Sequence, residues 1–238
     1  MPQPLNRVIR NGEFRPNDSV LNDNPELAKL VASIFALWAS IEHSLSLLLT
    51  SVLGADAEPA IAIFATLRGE RPQLDALEAA AKAARFDVFR AAISMTDSVR
   101  RARNHLAHWI WGTCKQLPDA LLLAEPKAQK DRERELNLAF ERAGGPDVKE
   151  IINLERYNSA TVLVYRRGDL ERAKRDLEDA ERITALLTVY LDRQVCRWAS
   201  DTFEGQRVAA LREVVFQDFY DKRLFREAFD RIRADRAA

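Results

Sequence analysis

Residues 24–53 read NPELAKLVASIFALWASIEHSLSLLLTSVL, and the periodicity of this stretch decides the fold. Ile34, Trp38, Ile41, Leu45 and Leu49 recur at three- and four-residue intervals, which puts them on one side of a helix. Asn24 can cap that helix, Pro25 is tolerated at its first position, and Gly54 ends it. A long helix with one apolar stripe must bury the stripe against other elements, which points to a mainly α protein. Glu42 falls within the stripe. Burying a lone carboxylate is expensive, so a basic partner is expected, with Arg103 and Arg68 as the candidates. Such a pair would either set helix register or orient an active-site arginine or histidine. His43 points about 100° away and reads as a surface or interface residue.

Working outward, residues 57–67 and 71–84 give two shorter alanine-rich helices separated around Gly69, and a fourth helix is expected from about Val88 to Trp111. Past Gly112, LLLAEP (121–126) reads as a short strand, KAQKDRERELNLAFERAGG (127–145) as a charged helix stopped by its glycine pair, and ATVLVY (160–165) as a second strand. The chain then runs through Gly168 into a helix from Asp169 toward Arg193, with Leu170, Ala173, Leu177, Ala180 and Ile183 on one face. A last amphipathic segment, LREVVFQDFYDKRLFREAFDRI (211–232), carries Phe216, Phe219, Phe225 and Phe229, a stripe suited to packing on the domain or a second subunit. Residues 1–23, with Pro2, Pro4, Gly12 and Pro16, show no sustained period and read as an irregular arm. The expected organisation is an arm over 1–23, a helical domain over 24–197 and a C-terminal helical extension over 198–238.

Lysine plus arginine equals aspartate plus glutamate, 36 each in 238 residues, so the overall charge is not that of a strongly cationic nucleic-acid binder. Any RNA contact needs a local patch. Arg100, Arg101 and Arg103 supply one, with Arg68 and Arg71 as additions. The two cysteines, Cys114 and Cys196, are far apart and form no CxxC pair, which excludes a disulfide framework and a zinc module of that kind and fits a reducing cytoplasm. The opening MPQPLNRVIRNGEF has no apolar signal core, and no uncharged apolar run approaches the roughly 20 residues that span a bilayer. The reading is a cytoplasmic protein without a membrane partner.

Chemistry concentrates in RNHLAH, residues 103–108. Arginine holds a phosphate through a planar, permanently charged fork, and histidine exchanges a proton near neutral pH, a combination suited to phosphodiester cleavage. On a straight helix Asn104 and His108 differ by only about 40° and share a face, whereas Arg103 lies about 140° from His108 and must curl back to join them. Trp109 and Trp111 follow, and aromatics beside arginines either stack RNA bases or pack in a core or dimer interface, with packing favoured. His105 and His108 could offer two metal ligands, but a third would have to come from Glu42 or Asp97, so no metal and no cofactor are expected. Serine and cysteine nucleophile motifs, a Walker loop and a dinucleotide glycine fingerprint are absent.

Together, WASIEHSLSLLL, AIFATL, LDALEAAAKAA and RNHLAHWIWG resemble the HEPN superfamily (higher eukaryotes and prokaryotes nucleotide-binding domains), over roughly residues 24 to 114. LLLAEP and ATVLVYRRGDLERAKRDLEDAERITALL echo the short hairpin and closing helix of many members. The resemblance implies an up-and-down helical bundle with a small β-hairpin insertion and, here, a C-terminal helical extension. It also implies a metal-independent endoribonuclease in which a 2′-hydroxyl attacks the adjacent phosphate, His108 handles a proton, Arg103 stabilises phosphoryl charge and Asn104 positions phosphate or imidazole. Glu42 would support this site, and Arg100, Arg101 and Arg68 would contact RNA. His105 sits at a variable position of the motif and is expected to be dispensable. One motif per chain implies a homodimer that assembles the cleft from two copies. Family roles include toxins paired with an antitoxin, phage-defence proteins and RNA-processing factors. The alternative implied by the same resemblance is a noncatalytic dimeric module that binds RNA, a nucleotide or a regulatory protein.

Overall fold

Residues 1–23, expected as an irregular arm, build part of a sheet. In the computed structural model, which describes residues 1–53, 56–84, 86–142, 145, 157–191 and 213–237, the arm holds strand β1 (Gln3–Pro4), a helical turn α1 (Leu5–Val8) and strand β2 (Arg15–Pro16). The long helices are α2 (Pro25–Leu53), α3 (Ala57–Thr66), α4 (Glu70–Ala83) and α5 (Asp87–His108). Then come β3 (Ile110–Thr113), β4 (Leu121–Ala124), α6 (Pro126–Glu141), β5 (Val162–Tyr165) and α7 (Arg167–Leu191), followed by α8 (213–221) and α9 (Arg223–Ala237). The protein is mainly helical with one five-stranded antiparallel sheet of order β1-β5-β4-β3-β2. The stops expected at Gly54 and at Gly144, the end of the helix toward Arg193, the boundary at 197 and Cys196 lie outside the described residues.

Two corrections follow. The sheet has five strands where two were expected, and the fourth helix ends at His108 because Ile110 and Trp111 leave it to pair with Ala124 and Leu123. A β-branched residue and an aromatic fit a pleated surface well, and Gly112 beyond them is a poor helix continuer. The arm's strands are two residues each, too short to show a period, yet they occupy both edges of the sheet.

The chain divides into two compact units, Met1–Ile34 with Ala102–Lys174, and Phe35–Arg101 with Arg175–Ala238. In the first, alternation along the strands sends side chains to two faces. Leu122, Ala124, Val162 and Val164 pack with Leu5 and Phe14 of the arm, alongside Cys114 and Ala120. Phe14 meets the Tyr157 ring edge-on at 4.7 Å, and the Arg132 guanidinium lies 4.5 Å from the same ring. Burial pushes the Tyr157 phenol above its ordinary range, and the charge of Arg132 pulls the other way. Leu121, Leu123 and Tyr165 belong to the opposite face and are also buried, which accounts for a β4 that is apolar at every position.

Gly112 sits where the arm crosses β3. A Cβ there would collide with the Arg15 carbonyl oxygen and the Phe14 ring, and the former is backbone that cannot swing aside. Gly112→Ala is expected to cost about 1–3 kcal/mol by overpacking. At about 2–4 °C per kcal/mol for a chain of this size, thermal unfolding should register it, and an unchanged midpoint would show that the arm does not press on β3.

In the second unit the stripe of α2 behaves as read: Trp38, Ile41, Leu45, Leu48, Leu49 and Val52 are buried. Leu74, Leu77 and Ala81 of α4, Phe89, Ala92, Thr96 and Val99 of α5, and Leu177, Ala180, Ile183 and Leu187 of α7 are buried at the same helical spacing. Phe219 and Phe225 are fully buried and Phe229 nearly so, within an aromatic cluster that includes Phe216 and Tyr220, so the terminal stripe packs on its own unit. Arg236 bridges Asp87 at 2.9 Å, and Arg182 grips Asp218. By length and composition α2 is long and apolar enough to cross a membrane, although Lys29 and Glu42 interrupt its apolar run. Only Glu26, Lys29 and Glu42 carry full charge along it. Burial confined to every third or fourth residue is the pattern of a core helix.

Candidate functional site

The RNHLAH motif occupies the last turn and a half of α5. Arg103 continues the buried stripe of this helix, four residues after Val99 and three before Leu106, which explains why its Nε is buried. Its Nη1 donates a 3.0 Å hydrogen bond to Oδ1 of the adjacent, half-buried Asn104. The bond joins Arg103 to Asn104, the motif residue that shares a face with His108 on a straight helix. Four residues further on, His108 is exposed at the helix end, and its imidazole makes no hydrogen bond or ion pair among the described residues.

The helix end is tied down from the other side. The Trp109 amide donates to the His105 carbonyl at 3.0 Å, and the Trp111 indole donates to the Leu106 carbonyl at 2.9 Å. These fill two of the carbonyls that a helix C-terminus leaves without intrahelical partners. Trp109 and Trp111 are both half-buried, and the Trp111 indole is tied to the helix end by that bond. His105, expected to be dispensable, is half-buried, hydrogen-bonded through Nδ1 to Tyr165 Oη at 2.7 Å and tilted 38° against the Trp109 ring at 4.3 Å. The motif reading missed this contact because its partner is on β5.

The other candidates divide. Arg100 is half-buried and bonds Asp97 at 2.7 Å, and Arg71 holds Asp75 at 2.9 Å and approaches Asp97 at 3.6 Å, so two members of the expected basic patch are matched by carboxylates. Arg101 and Arg68 are exposed and have no polar partner among the described residues. Glu42 belongs to the second unit, where it lines a small cavity with Trp38, Leu45, Phe64, Gln73 and Leu74. Within that unit it forms no ion pair with Arg68, the expected partner that shares the unit. Glu42 stands at the margin of the stripe and is half-exposed, so water reaches the carboxylate and burial does not force a basic partner on it. Among the described residues no group of three or more His, Cys, Asp or Glu side chains is placed to hold a metal ion.

This arrangement offers an oriented guanidinium and amide together with an accessible imidazole one helical turn beyond. No protein-family model matches the chain, and neither does any curated protein or solved structure.

Proposed function

We propose that the protein is a metal-independent endoribonuclease of HEPN type, working as a homodimer that brings two RNHLAH motifs to a common cleft. The observation that carries this reading is the Arg103–Asn104 hydrogen bond on the same helix end as an exposed His108. A guanidinium clamped by its neighbour presents its donors with less entropy to lose on meeting a phosphate. In the proposed reaction the 2′-hydroxyl attacks the adjacent phosphorus, the P–O5′ bond breaks, and Arg103 stabilises the charge on the nonbridging oxygens. His108 transfers a proton, and the partner copy's motif supplies the complementary acid or base. The HEPN-like up-and-down arrangement of the helices belongs to the same proposal, as do a cytoplasmic setting and a role as toxin or phage-defence component with an antitoxin or regulatory partner.

A noncatalytic dimeric module is favoured by one observation. With Arg100 matched by Asp97 and net charge zero, the helix that carries the motif is less cationic than its sequence promised. Purified protein incubated with RNA in excess chelator decides between them. Cleavage leaving 2′,3′-cyclic phosphate ends, with resistance when the residue 5′ to the cut is a deoxynucleotide, is expected of the nuclease. Binding without cutting across varied RNAs would establish the module. Light scattering should give a dimer at micromolar concentration, and a strict monomer with full activity would remove the shared cleft.

A further inference from the structure

Taking Arg103, Asn104 and His108 as the reacting site, we infer that His105 is its positioning residue, held by Tyr165 so that the last turn of α5 presents His108 in one place. His108 is the final residue of that helix, where chains ordinarily fray. What restrains it is on the inner side. The His105 imidazole bonds Tyr165 Oη at 2.7 Å, meets the Tyr165 ring at 78° with centroids 6.2 Å apart, and lies against Trp109 at 4.3 Å. Tyr165 is 1% exposed and stands in β5, whose backbone pairs with both β4 and β1, so the hydroxyl is fixed to the sheet rather than to a loop. A buried phenol needs a hydrogen-bond partner, and His105 supplies one. The bond therefore links the helix end to the sheet three residues before His108, on the flank opposite Arg103. Asn104 and His108 lie on either side of His105 in sequence and share a helix face, so any rotation of this last turn moves both together.

Tyr165→Phe tests this by removing one oxygen and keeping the ring. Misplacing a reacting group by a fraction of an ångström to an ångström costs up to about 100-fold, so kcat for RNA cleavage is expected to fall on the order of tenfold to 100-fold with KM little changed. His105→Ala should fall comparably, the double variant no further than the worse single, and His105→Asn, which keeps a polar atom near the Nδ1 position, should recover most of the loss. The chain has only three histidines, so the His108 ring signals can be followed by NMR without any RNA. They are expected to shift or broaden in Tyr165→Phe. Unchanged His108 signals with wild-type kcat, or losses that simply add, would overturn the positioning role while leaving the nuclease reading intact. Wild-type protein that never cuts RNA, but whose His108 signals respond to Tyr165→Phe, would retain the positioning role and discard the nuclease.

Discussion

His108→Ala is expected to reduce RNA cleavage by about 100- to 10,000-fold, the range that a positioned proton-transfer group contributes. The fold and dimer should survive, because His108 is exposed and makes no polar contact among the described residues that its removal would orphan. Circular dichroism and light scattering of the variant provide that control. Single-turnover cleavage in EDTA isolates the chemical step from any metal contamination. Activity equal to wild type would sink the mechanism, since no other exposed histidine stands on this helix.

Arg103→Lys is expected to lose nearly as much activity as Arg103→Ala, although it preserves the charge. The arginine stands at a stripe position with its Nε buried and is aimed by its bond to Asn104 Oδ1. Lysine carries a compact ammonium on a flexible stem and cannot reproduce the planar fork. A loss concentrated in kcat would show that the guanidinium acts on charge developing in the transition state, whereas a rise in KM alone would reassign Arg103 to ground-state RNA binding. Lysine restoring wild-type rates would reduce its role to simple charge. In contrast with His108, Arg103 is half-buried, so thermal unfolding of both variants must accompany the kinetics.

The helical skeleton was legible because its signal repeats. The stripe of Ile34, Trp38, Ile41, Leu45 and Leu49 is buried throughout, and LLLAEP and ATVLVY each yielded a strand. Elements with no period escaped. Gln3–Pro4 and Arg15–Pro16 become strands only because β5 and β3 lie beside them, and Ile110 and Trp111 are sheet residues because β4 returns to pair with them. Long-range pairing overrides local pattern in such cases. At the candidate site the order of residues located the motif, while side-chain destinations stayed hidden. That Arg103 bends to Asn104, that Arg100 turns to Asp97 and that His105 finds a tyrosine sixty positions away depend on rotamers and tertiary contacts. Glu42 makes no ion pair with Arg68 because it stands at the half-exposed margin of the stripe rather than at its centre.

The arm precedes its partners by a long stretch of chain, so during synthesis it has nothing to pair with for some time. Gln3 faces Val164 and Arg15 faces Thr113, so one edge waits for a partner near the middle of the chain and the other for one much later. Contacts this distant in sequence raise contact order and slow folding, because loop closure must come before they reward it. Until the arm docks, β5 and β3 are bare edges, the part of a nascent sheet most apt to recruit a strand from another molecule. The arm is thus the closing stitch of folding, and wherever two copies of the chain meet before it docks, a neighbouring copy's arm offers the same stitch.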